Sequence, residues 1–300
     1  MEQLCICVCT RNRPLSLKRL LLSIFDINTD NINPHVTIII VENEFKPKIK
    51  CLVKELQPIS PFQIKYFLEP KLGISTARNR AIKESRRCDF IVFVDDDQRV
   101  KNDWLIELIK CQREFDADAV YGLTPPIFKM KVPEHIMNFF EKQEKPYGKE
   151  LRCAATGCLL LKNSFLSENN LMFDERLNFL GGEDVYLTRK MVMYGAKLIN
   201  NSRAIAYECI PQERASIKYI MKRSFRDSVT YITVSKYLKV EKMVFIREML
   251  LAFIKIPSGL FILVPYYLFS IKNKLKGIIM VSRNIGVIYS LCGKTVSFYK

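Results

Sequence analysis

The chain has 300 residues, of which 49% are hydrophobic and 26% are charged, a composition typical of a folded protein and not of a disordered one. Its length accommodates one large α/β domain and an additional segment. The net charge of +16 is uneven, because residues 216–300 carry 15 Lys/Arg and 3 Asp/Glu, or +12, and the remaining +4 belongs to residues 1–215. The basic residues of 216–300 alternate with long apolar runs, which favours an anionic membrane surface over nucleic acid as a partner.

Apolar runs and helical patterns alternate along the first 100 residues. Strands are predicted at 4–9, 36–41, 63–68 and 90–94, and helices at 16–24, 48–56 and 73–86. Strand and helix in alternation at this spacing indicate βαβ units and a parallel sheet, so the expected fold class is α/β. Neither GxGxxG nor GxxxxGK[ST] occurs, which argues against a dinucleotide oxidoreductase or a P-loop enzyme.

The apolar run 90–94 ends at three consecutive aspartates, Asp95, Asp96 and Asp97. A run rich in Val, Ile and Phe is typical of a strand buried in a parallel sheet, and open α/β sheets bind ligands at the carboxyl ends of their strands. Three adjacent carboxylates repel one another unless a cation lies among them. Mg²⁺ or Mn²⁺ would take these oxygen ligands and still bind phosphates, and the alternative is a solvated acidic turn.

Cys5, Cys7 and Cys9 alternate along the first predicted strand, so we expect them on one face as small buried side chains. No CxxC pair is present and no secretion signal is visible, so unpaired cysteines in a reducing cytoplasm are expected and a structural zinc site is not.

Further motifs follow in a fixed order: VCTRNRP at 8–14, LGISTARNRA at 72–81, Thr156-Gly157, FDE at 173–175 and GGED at 181–184. Taken singly, LGISTARNRA is typical of a helix with a basic face. The acids of GGED, taken singly, are typical of a helix N-terminus. Together with the aspartate triplet, the ordered set resembles the family 2 glycosyltransferases over residues 4 to about 227. The resemblance implies a GT-A fold, with a Rossmann-like, mostly parallel sheet flanked by helices.

The resemblance also implies residue roles. Arg78 is added to them because a leaving diphosphate needs fixed positive charge. The implied nucleotide-binding residues are Thr10, Arg11, Glu42, Arg78, Asp95 and Asp96. The implied ligand of Mn²⁺ or Mg²⁺ is Asp97, and the implied catalytic base is Asp184. The implied acceptor-side residues are Thr156, Gly157, Gly182 and Glu183.

Two positions depart from the family pattern. Glu208 stands where relatives often have a histidine, and it is either a second metal ligand or a surface glutamate. Cys158 stands where relatives often have Asn after the Thr-Gly pair, which puts an acceptor contact there in question.

The implied reaction moves a sugar from a nucleotide sugar, expected to be a UDP-sugar, to a glycan or lipid-linked acceptor of surface polysaccharide or glycolipid synthesis. A single base opposite the leaving group implies inversion, because retention by double displacement needs a second carboxylate as nucleophile. The alternatives are a polyprenyl-phosphate sugar transferase, whose anionic acceptor needs no base, and a non-catalytic membrane-anchored binding protein.

Residues 1–215 are therefore expected to form the GT-A domain, and residues 216–300 a helical tail. The run 256–271 is uncharged but shorter than the roughly 18–20 residues of a clean membrane span, and Lys272, Lys274 and Lys276 follow it. This pattern predicts a tail associated with the cytoplasmic face of a membrane. The alternatives are a buried helical hairpin and true spanning helices.

Overall fold

The computed structural model describes residues 2–29, 34–141, 144–263 and 271–297. They form two compact units. The first comprises Met1–Ile127, Lys142–Asn178 and Glu183–Cys209, and the second comprises Phe128–Glu141, Phe179–Gly182 and Ile210–Lys300. The predicted apolar run 256–271 lies partly outside the described residues, at 264–270.

A mixed sheet forms the centre of the first unit. Its strands in the described part of the chain are β1 (Gln3–Thr10), β2 (His35–Glu42), β3 (Gln63–Leu68), β4 (Phe90–Val94), β5 (Gln98–Val100), β6 (Ala119–Leu123), β7 (Pro126–Phe128), β8 (Cys158–Lys162) and β9 (Leu198–Ile210). The strand order is β3-β2-β1-β4-β8-β6-β9-β5, with β7 paired to β9. The four strands β3, β2, β1 and β4 are parallel, as the βαβ pattern predicts. Strand β8 runs antiparallel to both β4 and β6.

Helices of the first unit cover both faces of its sheet, and further helices form the second unit. The described helices are α1 (Pro14–Phe25), α2 (Lys50–Leu56), α3 (Ile74–Glu84), α4 (Trp104–Phe115), α5 (Glu134–Phe140), α6 (Asn163–Glu168), α7 (Glu183–Met193), α8 (Ile217–Tyr237), α9 (Lys242–Leu263) and α10 (Ile271–Leu291). Helices α5, α8, α9 and α10 belong to the second unit, and the others to the first.

Alternation along β1 divides the core of the first unit into two layers. Leu4, Ile6 and Val8 join one apolar cluster, which includes buried residues of α1, α2 and α4. Cys5 and Cys7 join the other, which includes buried residues of α3, α6 and α7. Since both faces of the strand are covered, its sequence is apolar throughout. The parallel register also aligns the ends of β1 and β2, with Thr10 opposite Glu42.

Of the β1 cysteines, Cys5 and Cys7 are buried as predicted, Cys9 is half-buried against the same cluster, and Cys5 is paired. Cys5 forms a disulfide with Cys88, whose Cα lies 6.1 Å from that of Cys5 because β1 and β4 are neighbours and Cys88 lies just before β4. The expectation of unpaired cysteines is therefore wrong for Cys5 and Cys88. These two residues no longer support the inference of a reducing compartment.

The second unit is helical. Ile136 and Phe140 of α5 pack with Ile210, Ile220 of α8 and Leu275 of α10. A separate cluster joins Ile232 of α8, Ala252 of α9 and Val287 of α10. Among the helices that the structure describes, none is both long and apolar enough to cross a membrane.

Candidate active site

The aspartate triplet follows β4 and is fixed to the turn that follows β1. Thr10 Oγ1 donates a hydrogen bond to Asp96 Oδ2 at 2.7 Å, and Arg13 Nη1 donates to Asp96 Oδ1 at 2.8 Å. Burial raises the pKa of Asp96, and Arg13 and Thr10 oppose that change. Asp96 therefore bonds through one oxygen to the end of β1 and through the other to the turn that follows it.

Asp95 and Asp97 are more accessible than Asp96. Their side chains are 46% and 18% exposed, against 6% for Asp96. Arg13 Nη1 also lies 3.4 Å from Asp97 Oδ2. These two acids are the members of the triplet that a ligand can reach.

Thr156-Gly157, immediately before β8, lies against the triplet. A Cβ on Gly157 would lie 3.1 Å from Asp95 Oδ2 and 2.8 Å from Gln98 Nε2, so a side chain there would displace one of them. Gln98 Oε1 in turn accepts a hydrogen bond from the backbone N–H of Asp95 at 2.9 Å. The glycine thus allows the predicted acceptor-side segment to approach the predicted donor-side acids.

Arg78 connects the triplet to the GGED motif. Its side chain is 8% exposed, and its guanidinium pairs with Asp95 Oδ1 at 3.3 Å and, more closely, with Glu183 Oε1. Burial opposes its charge, but Glu183, Asp95 and Asp184 outweigh burial and raise the pKa of Arg78, so this residue stays cationic. One buried arginine therefore lies between the two acidic motifs.

Glu183 is buried and only partly satisfied. Burial raises its pKa to about 7, and the nearby Arg78 charge opposes the rise. Its Oε2 has no hydrogen-bond partner among the described residues. A buried polar atom without a partner is costly, so this oxygen is suited to bind a hydroxyl group or water.

Asp184 lies in the first turn of α7 and is half-buried. Its Oδ1 accepts the backbone N–H of Val185 at 2.7 Å, and the backbone of Thr156 also hydrogen-bonds it. Burial raises the pKa of Asp184, with Arg78 opposing. Thr188 Oγ1 donates to Asp184 O at 2.8 Å and accepts Ala154 N at 3.0 Å, which holds α7 against the 154–156 segment.

Gly181 and Gly182 precede α7 and have φ values of +81° and +84°, which L side chains rarely adopt. Gly182 belongs to the second unit, where a Cβ would lie 2.2 Å from Thr230 Cγ2. The GG pair is therefore required by the backbone of this turn.

The loop before the GGED motif is held to α3 by amide side chains that the sequence patterns did not single out. Asn178 Oδ1 accepts the backbone N–H of Thr76 at 3.0 Å, and Asn178 also fills the space beside Gly73. Asn43 Oδ1 accepts the N–H of Gly73 at 2.8 Å. Because α3 carries Arg78, these bonds orient the arginine between the acids.

Glu42, which the resemblance assigns to nucleotide binding, is fully buried at the end of β2. None of its surface is exposed, and its carboxylate accepts Lys48 N at 2.8 Å, Ile49 N at 3.3 Å and Tyr66 Oη at 2.6 Å. A predicted base-binding acid is thus engaged inside the protein, because the turn after β2 folds back over it.

Arg11 lies in the turn after β1, and its side chain is 33% exposed. Its Nε is 3.7 Å from Glu44 Oε2, which also accepts a hydrogen bond from Asn12 at 2.9 Å.

Glu208 is brought to the triplet by the β5–β9 ladder. It pairs in register with Gln98, and the N–H of the following residue, Cys209, donates to Asp97 O at 2.9 Å. In the part of the chain that the structure describes, no group of three or more His, Cys, Asp or Glu side chains is placed to hold a metal ion. Carboxylates nonetheless fit Mg²⁺ or Mn²⁺, which proteins often bind through one or two carboxylates plus substrate phosphates.

Cys158 is fully buried, and Trp104 Nε1 donates to its sulfur at 3.0 Å. It packs within the core, so an acceptor contact is not made by this side chain.

Comparison with known proteins identifies the family. The family model described as Glycosyl transferase family 2 matches residues 5–169. The chain belongs to this family. It is also 32% identical over 226 residues, 75% of the chain and 72% of the relative, to the succinoglycan biosynthesis protein ExoM of Rhizobium meliloti (strain 1021). The predicted membership is thereby confirmed.

Solved structures share the fold at low sequence identity. The mannosyltransferase PcManGT of Pyrobaculum calidifontis, in complex with GDP-Man and Mn²⁺, has a TM-score of 0.67 and 12% identity over 97% of this chain and 87% of its own. S. aureus TarS 1-349, in complex with UDP-GlcNAc, has a TM-score of 0.57 and 14% identity over 98% of this chain and 93% of its own. The family 2 chain therefore has the predicted GT-A-like α/β fold, with a mixed sheet.

Proposed function

We propose that this glycosyltransferase moves a sugar, with inversion, from a nucleotide sugar to a glycan or lipid-linked acceptor in polysaccharide synthesis. The observation that carries the proposal is the position of Arg78 between Asp95 and Glu183. Its Nη2 pairs with Asp95, one of the acids proposed for the donor, and its Nη1 pairs with Glu183, one of the acids proposed for the acceptor.

The relatives support the substrate classes. ExoM is named for succinoglycan biosynthesis, which supports a polysaccharide product. TarS binds UDP-GlcNAc and PcManGT binds GDP-Man, so both support a nucleotide sugar and they differ in the base. A UDP-sugar is the donor that we propose to test first.

Asp97 is the proposed protein ligand of the metal, with Glu208 as the second. The bound Mn²⁺ or Mg²⁺ would neutralise charge on the diphosphate as it leaves. Mn²⁺ in the PcManGT complex supports a divalent cation. Arg78 adds a fixed positive charge that a buried setting makes more effective than it would be in water.

Asp184 is the proposed base. An acceptor hydroxyl becomes a good nucleophile only as a carboxylate takes its proton. The backbone N–H of Val185 orients Asp184 Oδ1, and Thr156 lies beside Asp184 on the predicted acceptor side. Glu183 Oε2, which has no partner within the described residues, is proposed to accept a second hydrogen bond from the acceptor. In-line attack assisted by one base gives inversion.

The test measures nucleoside diphosphate release by the full chain, after a thermal-shift screen of nucleotide sugars with Mn²⁺. Asp184→Asn should lower kcat by on the order of 10² to 10⁴ while donor affinity stays near normal. Asp116→Asn is a matched control, because Asp116 is 88% exposed and its φ of +44° suits Asn. Turnover of Asp184→Asn within a few-fold of wild type would reject the base and favour the polyprenyl-phosphate alternative.

A further inference from the structure

Helix α9 exposes large apolar side chains along one face. These are Met243, Ile246, Leu250, Phe253, Ile254 and Leu260, each between 46% and 69% exposed. At about 100° per residue, all six positions fall within an arc of about 120° on a 3.6-residue helix, so they form one stripe, which extends over about 26 Å. We call these six residues the α9 stripe.

The opposite face of α9 is already packed inside the second unit. Ala252 is fully buried in a cluster with Ile232 and Val287. A Cβ on Gly259 would lie 2.8 Å from Val281 Cγ2 and 3.2 Å from Gly277 O, so α9 and α10 approach closely there. The α9 stripe is therefore not the inner face of the helix, and packing within the unit does not account for its apolar character.

We propose that the α9 stripe is a lipid-binding surface that lies on an anionic bilayer. The charge distribution selects this occupant. Residues 216–300 carry a net +12, and Lys239, Arg247 and Lys255 are exposed at or next to α9. The helix has one acid, Glu248, which Arg247 pairs at 3.0 Å, and the exposed Glu241 immediately precedes the helix. Apolar side chains beside basic ones are the pattern of interfacial helices on anionic lipid.

A second copy of the chain fits the same stripe less well. Pairing two stripes would bring two segments of +12 together, and like charges at an interface oppose association. An anionic leaflet instead attracts the basic residues while its acyl region takes up the apolar ones. This surface is independent of the proposed transferase reaction, since it involves none of the residues assigned to that reaction.

The experiment is flotation of the full chain with phosphatidylcholine vesicles, with and without phosphatidylglycerol. Wild type should float with the anionic vesicles, and high salt should weaken that binding. The triple variant Leu250→Ser/Phe253→Ser/Ile254→Ser should bind them on the order of 100-fold more weakly. A control triple, Leu15→Ser/Ile59→Ser/Met193→Ser, removes side chains that are 76%, 61% and 66% exposed in the first unit, and it should bind as wild type does.

Circular dichroism and thermal melting establish that both triple variants fold, as expected for exposed substitutions. Lack of flotation by wild type with either vesicle would overturn the proposal. So would equal binding by the α9 triple variant, or equal wild-type binding to vesicles without phosphatidylglycerol. Light scattering after size exclusion tests the second-copy alternative. A lipid-free wild-type dimer that the α9 triple variant abolishes would assign the stripe to self-association instead.

Discussion

The side-chain amide of Asn79 on α3 makes two hydrogen bonds with the backbone of Phe173. Its Nδ2 donates to Phe173 O at 2.9 Å, and its Oδ1 accepts Phe173 N at 2.8 Å. The residue before it, Arg78, faces the acids of the candidate site. The surface of α3 that contacts the 173–178 loop therefore also positions Arg78. The position of the loop and the position of the Arg78 charge are coupled in this way.

Asn79→Ala tests that coupling. Both backbone groups of Phe173 would lose a buried partner, and we expect a loss of about 2–4 kcal/mol in the free energy of unfolding, measured in urea. Asn169→Ala is the control, because Asn169 makes one part-buried bond to Phe165 O. A loss for Asn79→Ala no larger than that of the control would show that the 173–178 loop is held by other contacts.

Glu183 should make stability depend on pH. Its pKa in the fold is about 7, above the ordinary 4.5, because burial disfavours its charge more than Arg78 favours it. Between these values the folded chain holds a proton that the unfolded chain has lost. The Glu183 contribution to stability therefore falls as pH rises from about 4.5 to about 7.

Glu183→Gln removes this titration, so the variant should lose less stability than wild type between pH 5 and pH 7 in urea unfolding. Glu55→Gln serves as the matched control, because Glu55 is 62% exposed and pairs only with Lys18 among the described contacts. Parallel pH profiles for wild type and Glu183→Gln would contradict a raised pKa at Glu183.

Asp97→Asn addresses the metal. The substitution keeps the shape of the side chain and removes the anionic ligand, so we expect loss of transfer activity and of Mn²⁺-dependent binding of UDP. Isothermal titration with UDP, with Mn²⁺ and with EDTA, measures this. Asp116→Asn should titrate as wild type does. UDP binding by wild type that is undiminished in EDTA would reject the assignment of Asp97.

The sequence predicted the sheet well and the surroundings of single side chains poorly. Strand 63–68 coincides with β3, and the predicted helix 73–86 differs from α3 by a residue or two at each end. Buried parallel strands leave an apolar run that local patterns detect. The antiparallel insertion of β8 between β4 and β6 depends on pairings that no local pattern encodes.

The same limit applies within the site. The acidic motifs were visible in the sequence because charge after an apolar run is unusual. Asn178 was not, because an amide that accepts a backbone N–H 102 residues away has no local signature. Burial of Glu42 also depends on the fold-back of residues 44–49, which an acid at the end of a strand does not predict.

Glu42 provides the last test, because its carboxylate accepts backbone N–H groups of the turn after β2. Glu42→Gln weakens the hydrogen bond that Tyr66 Oη donates to Glu42 Oε2, and Tyr66→Phe removes it. We expect each to lower the free energy of unfolding by about 1–2 kcal/mol. The Kd for UDP with Mn²⁺ should change by less than about threefold in both, since a threefold change is under 1 kcal/mol. If Glu42 instead holds the base, Glu42→Gln should weaken UDP binding far more than Tyr66→Phe does. The two variants should then still unfold at similar urea concentrations. That outcome would require the 44–49 turn to open when nucleotide binds.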